Sequence, residues 1–177
     1  MSNKKLIVPV CRGNIARSPV AEIIIRREIE VRGLHDQYEV LSRGTQGVAL
    51  DDKEPAKFRN ITFYHDEYND LQAWLDERNI DLTSHTSTPI DINVAEHASI
   101  ILAMDKRTQQ ALLALFPDYA KKIHMFSELI DEEKEIINSF SSSVTSEGLF
   151  KLKILSLITL TTFALGNLLF PLVRSSS

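Results

Sequence analysis

The chain has 177 residues, a net charge of -4, 44% hydrophobic and 25% charged residues, which suits one domain with its own core and is too short for two ordinary ones. There is no basic excess to neutralise phosphates, which argues against a nucleic-acid binder. Cys11 is the single cysteine, so an internal disulfide framework and a multi-cysteine metal site are both excluded.

Behind the basic start Met1 to Lys5, the apolar run Leu6 to Val10 is too short for a signal peptide. A lone reactive thiol points to a reducing, cytoplasmic setting. Leu6–Val10 reads as a buried parallel strand that ends in a glycine-containing loop. Pro9 within it removes a ladder hydrogen bond. A helix follows over Pro19 to Arg32: Ser18 is the expected cap, Pro19 sits in the first turn, and Gly33 stops it. Glu39–Ser42 reads as a second strand. Residues 48–68 are polar, with Pro55 and scattered aromatics, and read as a loop whose Tyr64 and Tyr68 are either surface residues or a hold for an aromatic substrate. Leu71, Trp74 and Leu75 mark a helix face that ends near Asn79. Ser99–Met104 is a continuous apolar run suited to a sheet covered on both sides. A helix through Leu112, Leu113, Leu115 and Phe116 stops at Pro117, and Lys122–Leu129 reads as a fourth strand. The alternation argues an α/β fold, a parallel sheet with helices on both faces.

The last stretch is of another kind. Residues 154–173 carry no charge and are flanked by Lys151, Lys153 and Arg174, about the length that spans a bilayer. Three threonines, Asn167, Gly166 and Pro171 within it favour a terminal helix packed on the sheet over a membrane anchor. The chain thus divides into an α/β domain over 1–150 and an apolar C-terminal segment over 151–177.

In such a topology ligands bind beyond the carboxyl ends of the strands. There the first strand gives way to Cys11-Arg12-Gly13-Asn14-Ile15-Ala16-Arg17-Ser18-Pro19. Five residues between Cys11 and Arg17 can curl the backbone so that the amides of residues 12 to 18 converge on one anion, with the positive end of the following helix behind them. Gly13 is expected to permit backbone geometry that a side chain would obstruct. Arg17 can close the cradle with a bidentate guanidinium fork. The same field favours the thiolate of Cys11, the form that attacks phosphorus. Ser18 can donate its hydroxyl to that thiolate, and Asn14 can tie the loop to a neighbouring turn. Arg12, Gly13, Asn14, Ile15, Ala16, Arg17 and Ser18 are therefore the candidate phosphate-binding residues.

The stretch VCRGNIARSPVAE, Val10 to Glu22, resembles the signature of the low-molecular-weight protein tyrosine phosphatase family. SRGT (Ser42–Thr45), IDLTSHTSTP (Ile80–Pro89), IILAMD (Ile100–Asp105) and LLALFPDY (Leu112–Tyr119) are similar to later segments of that family, in order. The resemblance implies a four-stranded parallel sheet flanked by helices and hydrolysis of phosphotyrosine proteins or small aryl phosphates. It further implies Cys11 as nucleophile through a phosphocysteine intermediate, Arg17 as phosphate ligand, and no metal or other cofactor. The five histidines, His35, His65, His85, His97 and His124, show no ligand spacing and read as surface or core residues.

Two departures stand out. The family's general acid comes from an Asp-Pro-aromatic motif; the corresponding place here holds Asn138-Ser139-Phe140. Asp131, beside Glu132 and Glu133, is the candidate substitute. Phenolates leave with little help, so a weakened acid biases turnover to aryl phosphates. Ala16 stands where many members carry a second cysteine, which leaves Cys11 without an internal disulfide partner. Two alternatives follow: a non-catalytic phosphoanion-binding protein of the same fold, with the apolar tail as a possible tether to a membrane, and an arsenate reductase, whose thioredoxin-coupled form needs further cysteines.

Overall fold

In the computed structural model the described residues are 4–130. The sequence-based expectations for Asp131, for Asn138 and for the apolar segment 151–177 lie outside them. Chain order is β1 (Lys5–Cys11), α1 (Arg17–Val31), β2 (Tyr38–Val40), β3 (Arg43–Gly44), α2 (His65–Glu77), α3 (Ile92–His97), β4 (Ala98–Ala103), α4 (Lys106–Leu115) and β5 (Ile123–Met125). Short 3₁₀ turns at Ile61–Phe63, Pro117–Lys122 and Phe126–Ile130 complete it. The strands form one parallel sheet in the order β2-β1-β4-β5, with β3 also beside β1.

β1 lies inside the sheet between β2 and β4, and its Ile7, Val8 and Val10 are almost wholly buried, as in a strand covered on both faces. The alternation of a strand then sorts the core into two layers. Ile7 and Cys11 of β1, with Leu102 of β4, face α1 and α2 in a cluster that includes Ile25, Leu71 and Trp74. Val8 and Val10, with Ile101 and Ala103, face Leu112 and Phe116 in the other.

Helices therefore do cover both faces, but the sheet has five strands rather than the expected four. Pro9 explains the difference. Leu41 N–H donates to Ile7 O and Thr45 N–H to Cys11 O, whereas Met104 N–H donates to Val10 O from the opposite side. By that alternation the Pro9 nitrogen points at the second strand, where it has no hydrogen to give. Of the expected strand Glu39–Ser42 only Glu39 and Val40 are strand, in β2; pairing breaks at Leu41 and Ser42 and resumes in β3, beyond the expected end.

Other expectations are corrected in smaller ways. α1 starts two residues before Pro19, with Ala16 as its cap and no side-chain capping bond; Ser18 is inside the first turn, its hydroxyl directed to the loop. The fourth expected strand, Lys122–Leu129, is only Ile123–Met125 before the chain coils into a 3₁₀ turn. The polar stretch 48–68 ends in helix, because α2 already begins at His65. Tyr64 and Tyr68 are half-buried and pack against the core beneath α1. The stop at Gly33 holds: its φ is +66, the left-handed position that ends a helix.

Candidate active site

The segment between β1 and α1 is held almost entirely inside the protein. Cys11, Asn14, Ile15, Ala16, Arg17 and Ser18 are all buried, and the side chains of Ile15 and Ala16 belong to the core layer under α1. Anchored through those side chains, the loop presents its backbone at the carboxyl edge of β1, at the start of a fifteen-residue helix. A helix start of that length carries a positive partial charge and amides without intrahelical acceptors.

Cys11 Sγ sits within this turn. Asn14 N–H donates to it at 3.2 Å and Ser18 Oγ lies 3.1 Å away. The Ser18 hydroxyl is also 3.2 Å from Arg43 O and accepts from Asn14 Nδ2 at 3.0 Å. One hydroxyl proton thus has two acceptors within reach, the strand carbonyl and the sulfur. When the sulfur carries negative charge the proton is drawn to it, which stabilises a thiolate.

Asn14, not Gly13, takes the unusual backbone conformation. Its φ is 51, in the left-handed region that asparagine tolerates better than most residues. A Cβ at Gly13 would meet only the Ile15 Cγ1 atom at 3.3 Å. The close approach falls instead at Gly44, where a Cβ would lie 2.8 Å from Arg12 O; β3 needs that glycine to lie against the loop. Asn14 is held from several sides. Its amide donates to Ser42 Oγ at 2.9 Å as well as to Ser18, and its Oδ1 accepts from Thr88 N–H at 2.8 Å. His85 Nε2 stands 2.9 Å from Asn14 O and 3.2 Å from Oδ1. Both are acceptors, so Nε2 carries the proton.

Arg17, at 5% exposure, pairs with Asp105 Oδ2 at 2.5 Å. Asp105 follows β4 and caps α4, its Oδ1 accepting from Thr108 N–H at 2.7 Å. A carboxylate tied to a helix start is fixed in place, and it fixes the guanidinium in turn. Arg12 goes elsewhere: its guanidinium turns outward to Asp52 at 3.4 Å, so what it brings to the cradle is its backbone.

The structure thus gathers Cys11, Asn14, Arg17 and Ser18 into one turn, as their spacing suggested. Asp105, His85 and Ser42 join them from the distant segments Ile100–Asp105, Ile80–Pro89 and Ser42–Thr45, whose resemblance to the family marked the segments but gave these three residues no role. His85 is a contact of the Cys11–Arg17 loop rather than an ordinary surface or core residue. Among the described residues no three His, Cys, Asp or Glu side chains gather as a metal site, and no helix is long and apolar enough to cross a membrane.

A family model for low molecular weight phosphotyrosine protein phosphatase matches residues 6–138. The low molecular weight protein-tyrosine-phosphatase Wzb of Salmonella typhi is 28% identical over 143 residues, 81% of this chain and 80% of that protein. An arsenate reductase of Bacillus cereus is 26% identical over 153 residues, covering 80% of this chain and 97% of its own. Among solved structures, a mutant of YwlE from Bacillus subtilis has the same fold, with a TM-score of 0.70 at 24% identity over 94% of this chain and 99% of that one.

Proposed function

From the premise that the chain belongs to the low molecular weight phosphotyrosine protein phosphatase family, we propose that it hydrolyses aryl phosphomonoesters, phosphotyrosine in proteins or a small aryl phosphate, through Cys11. The observation that carries this reading is the sulfur itself: Cys11 Sγ lies in the turn that opens α1, with Asn14 N–H at 3.2 Å and Ser18 Oγ at 3.1 Å. Plain packing of a cysteine does not need two polar groups aimed at its sulfur.

The phosphoryl group is bound by the amides of residues 12 to 18 and by Arg17, which Asp105 orients. The Cys11 thiolate attacks phosphorus, the S–P bond forms as the P–O bond to the aryl group breaks, and the aryl oxygen leaves with the electron pair. Arg17 and the amides stabilise the charge on the equatorial oxygens. Water then attacks the phosphocysteine, and the sulfur leaves as a thiolate that takes the Ser18 proton as a hydrogen bond. Asp131 is the candidate to protonate the departing aryl oxygen. Phenolates leave without much assistance, so a substitute acid costs least on aryl substrates. One cysteine in the whole chain speaks against the multi-cysteine relay of a thioredoxin-coupled arsenate reductase, and the same lone thiol supports a reducing, cytoplasmic setting.

The test is hydrolysis of para-nitrophenyl phosphate at about pH 5–7 by the parent, Cys11→Ser and Arg17→Ala. Turnover in the parent and none in either variant supports the mechanism. A folded parent that binds vanadate but turns nothing over would replace it with the non-catalytic anion-binding reading.

A further inference from the structure

The loop that follows β3 is built onto the phosphate loop. Thr45 N–H donates to Cys11 O at 3.0 Å and Gln46 N–H to Arg12 O at 2.8 Å, so the chain runs beside the first residues of the cradle before it turns away. Gly47 then has a φ of +80, and a Cβ there would lie 2.0 Å from Ala56 N. The two ends of residues 47–56 therefore meet, and only glycine lets them.

Two neighbouring aspartates fasten this loop on opposite flanks. Asp52 accepts from Gly47 N–H at 3.0 Å and from the Arg12 guanidinium at 3.4 Å. Asp51 reaches Arg107 at 3.0 Å. Arg107 is in the first turn of α4, two residues beyond the Asp105 that grips Arg17. β3 and β4 lie on opposite sides of β1. Residues 47–56 consequently cross the carboxyl edge of β1, from the Arg12 flank of the phosphate loop to its Arg17 flank.

The two pairs are not equal. The Asp51 and Arg107 side chains are 62% and 67% exposed, and a pair so open to water contributes little. The Asp52 side chain is 5% exposed, although Arg12 is 44% exposed, and removing the carboxylate leaves the Gly47 amide without its acceptor.

We propose that Asp52 is a positioning residue for substrate binding: by holding the Arg12 side chain and the Gly47 amide it fixes residues 47–56 as a rim beside the phosphate loop. The inference rests on the proposed function, since the rim borders the phosphoryl site assigned there. Asp52 touches neither Cys11 nor Arg17, so its loss changes how well substrate is held and not how fast the bound substrate reacts.

The experiment measures kcat and KM separately on para-nitrophenyl phosphate for the full chain and for Asp52→Ala, Asp52→Asn, Arg12→Gln and the Asp52→Ala/Arg12→Gln double variant. Asp52→Ala and Arg12→Gln should each raise KM about three- to tenfold, the range expected for one charge-assisted hydrogen bond, and in Asp52→Ala kcat should stay within about twofold. Asp52→Asn, which keeps an acceptor oxygen, should fall between parent and alanine. The double variant should be no worse than the worse single one, because both act through one contact. An unchanged KM in Asp52→Ala overturns the inference. So do additive effects, which would mean that Arg12 meets substrate independently, and a kcat loss that accounts for the whole change. If Asp52→Ala does not fold, Arg12→Gln with parental KM is enough to overturn it. A parent without turnover refutes the proposed function instead, and the inference is then read from the vanadate affinities of the same proteins, by the same criteria.

Discussion

At the scale of single residues, the proposed mechanism makes Asn14 and Asp105 residues that hold Ser18 and Arg17 in place without taking part in bond making. Asn14 combines a left-handed backbone with side-chain bonds to Ser18, Ser42 and Thr88. Asn14→Ala suffers on both counts and should lose about 2–3 kcal/mol in chemical denaturation. Asn14→Gly restores the backbone freedom and loses only the side-chain bonds, so it should be the more stable of the two; equal stability would show that the φ of 51 stores no strain. Asp105→Asn keeps a capping oxygen for α4 but removes the charge facing Arg17. Steady-state kinetics on an aryl phosphate should show kcat lowered about 10- to 100-fold, the equivalent of one charge-assisted bond, with secondary structure intact by circular dichroism. These two residues also show what a sequence can reveal. Asn14 and Ser18 were legible because they stand within seven positions of Cys11, where a strand end, a turn and a helix start fix their mutual geometry. Asp105 reaches Arg17 from 88 residues away, and His85 reaches Asn14 from 71. Both lie in segments that resemble the family, but spacing alone assigns neither a partner; the fold brings them to Arg17 and Asn14.

At the scale of elements, the sequence runs located four of the five strands and missed β3, and their ends depended on hydrogen bonds that periodicity does not encode. The division of the second strand needed knowledge of which way the Pro9 nitrogen faces, and that depends on register with β2 and β3. Ser18 has the composition of a cap, yet its hydroxyl serves Cys11 and Arg43 instead, a tertiary demand that overrides local preference. β2 itself offers a test. It is the edge strand of the sheet, and its Tyr38 is 4% exposed. Burial raises the Tyr38 hydroxyl above its ordinary value of 10.0. The sign follows from linkage: the folded state favours the neutral phenol, so its contribution is complete below the ordinary tyrosine range and is lost as pH climbs through it. Thermal midpoints of the parent and Tyr38→Phe, measured from neutral pH to about pH 11, should therefore converge or cross as the parent falls more steeply. Parallel curves would mean that Tyr38 ionises as easily folded as unfolded.

At the scale of the whole molecule, the sheet separates a layer that holds the anchors of the Cys11–Arg17 loop from a layer that packs α4. Consecutive residues of β4 make the division testable, since Ile101 and Leu102 are exposed by only 0% and 1% but face opposite ways. Leu102 shares its layer with Cys11, Ile15 and Ala16, the anchors of the phosphate loop. Ile101 shares its layer with Leu112 of α4 and Ile123 of β5. Truncation of either to alanine opens a cavity in a closely packed interior and should cost about 2–5 kcal/mol. Stability alone will not tell them apart; kinetics should. A cavity at Leu102 lets the loop side chains settle inward and misplaces amides whose use depends on ångström-level aim, so Leu102→Ala should lower kcat/KM on an aryl phosphate about tenfold or more. Ile101→Ala, assayed well below its melting temperature, should keep kcat within about twofold. If both variants lose activity equally, the backbone of β4 transmits the defect through the sheet, and the two layers act as one support for the site. If only Leu102→Ala does so, the pattern of alternate apolar residues on β1 and β4 divides site support from fold support, and each strand position can be assigned to one or the other from its parity.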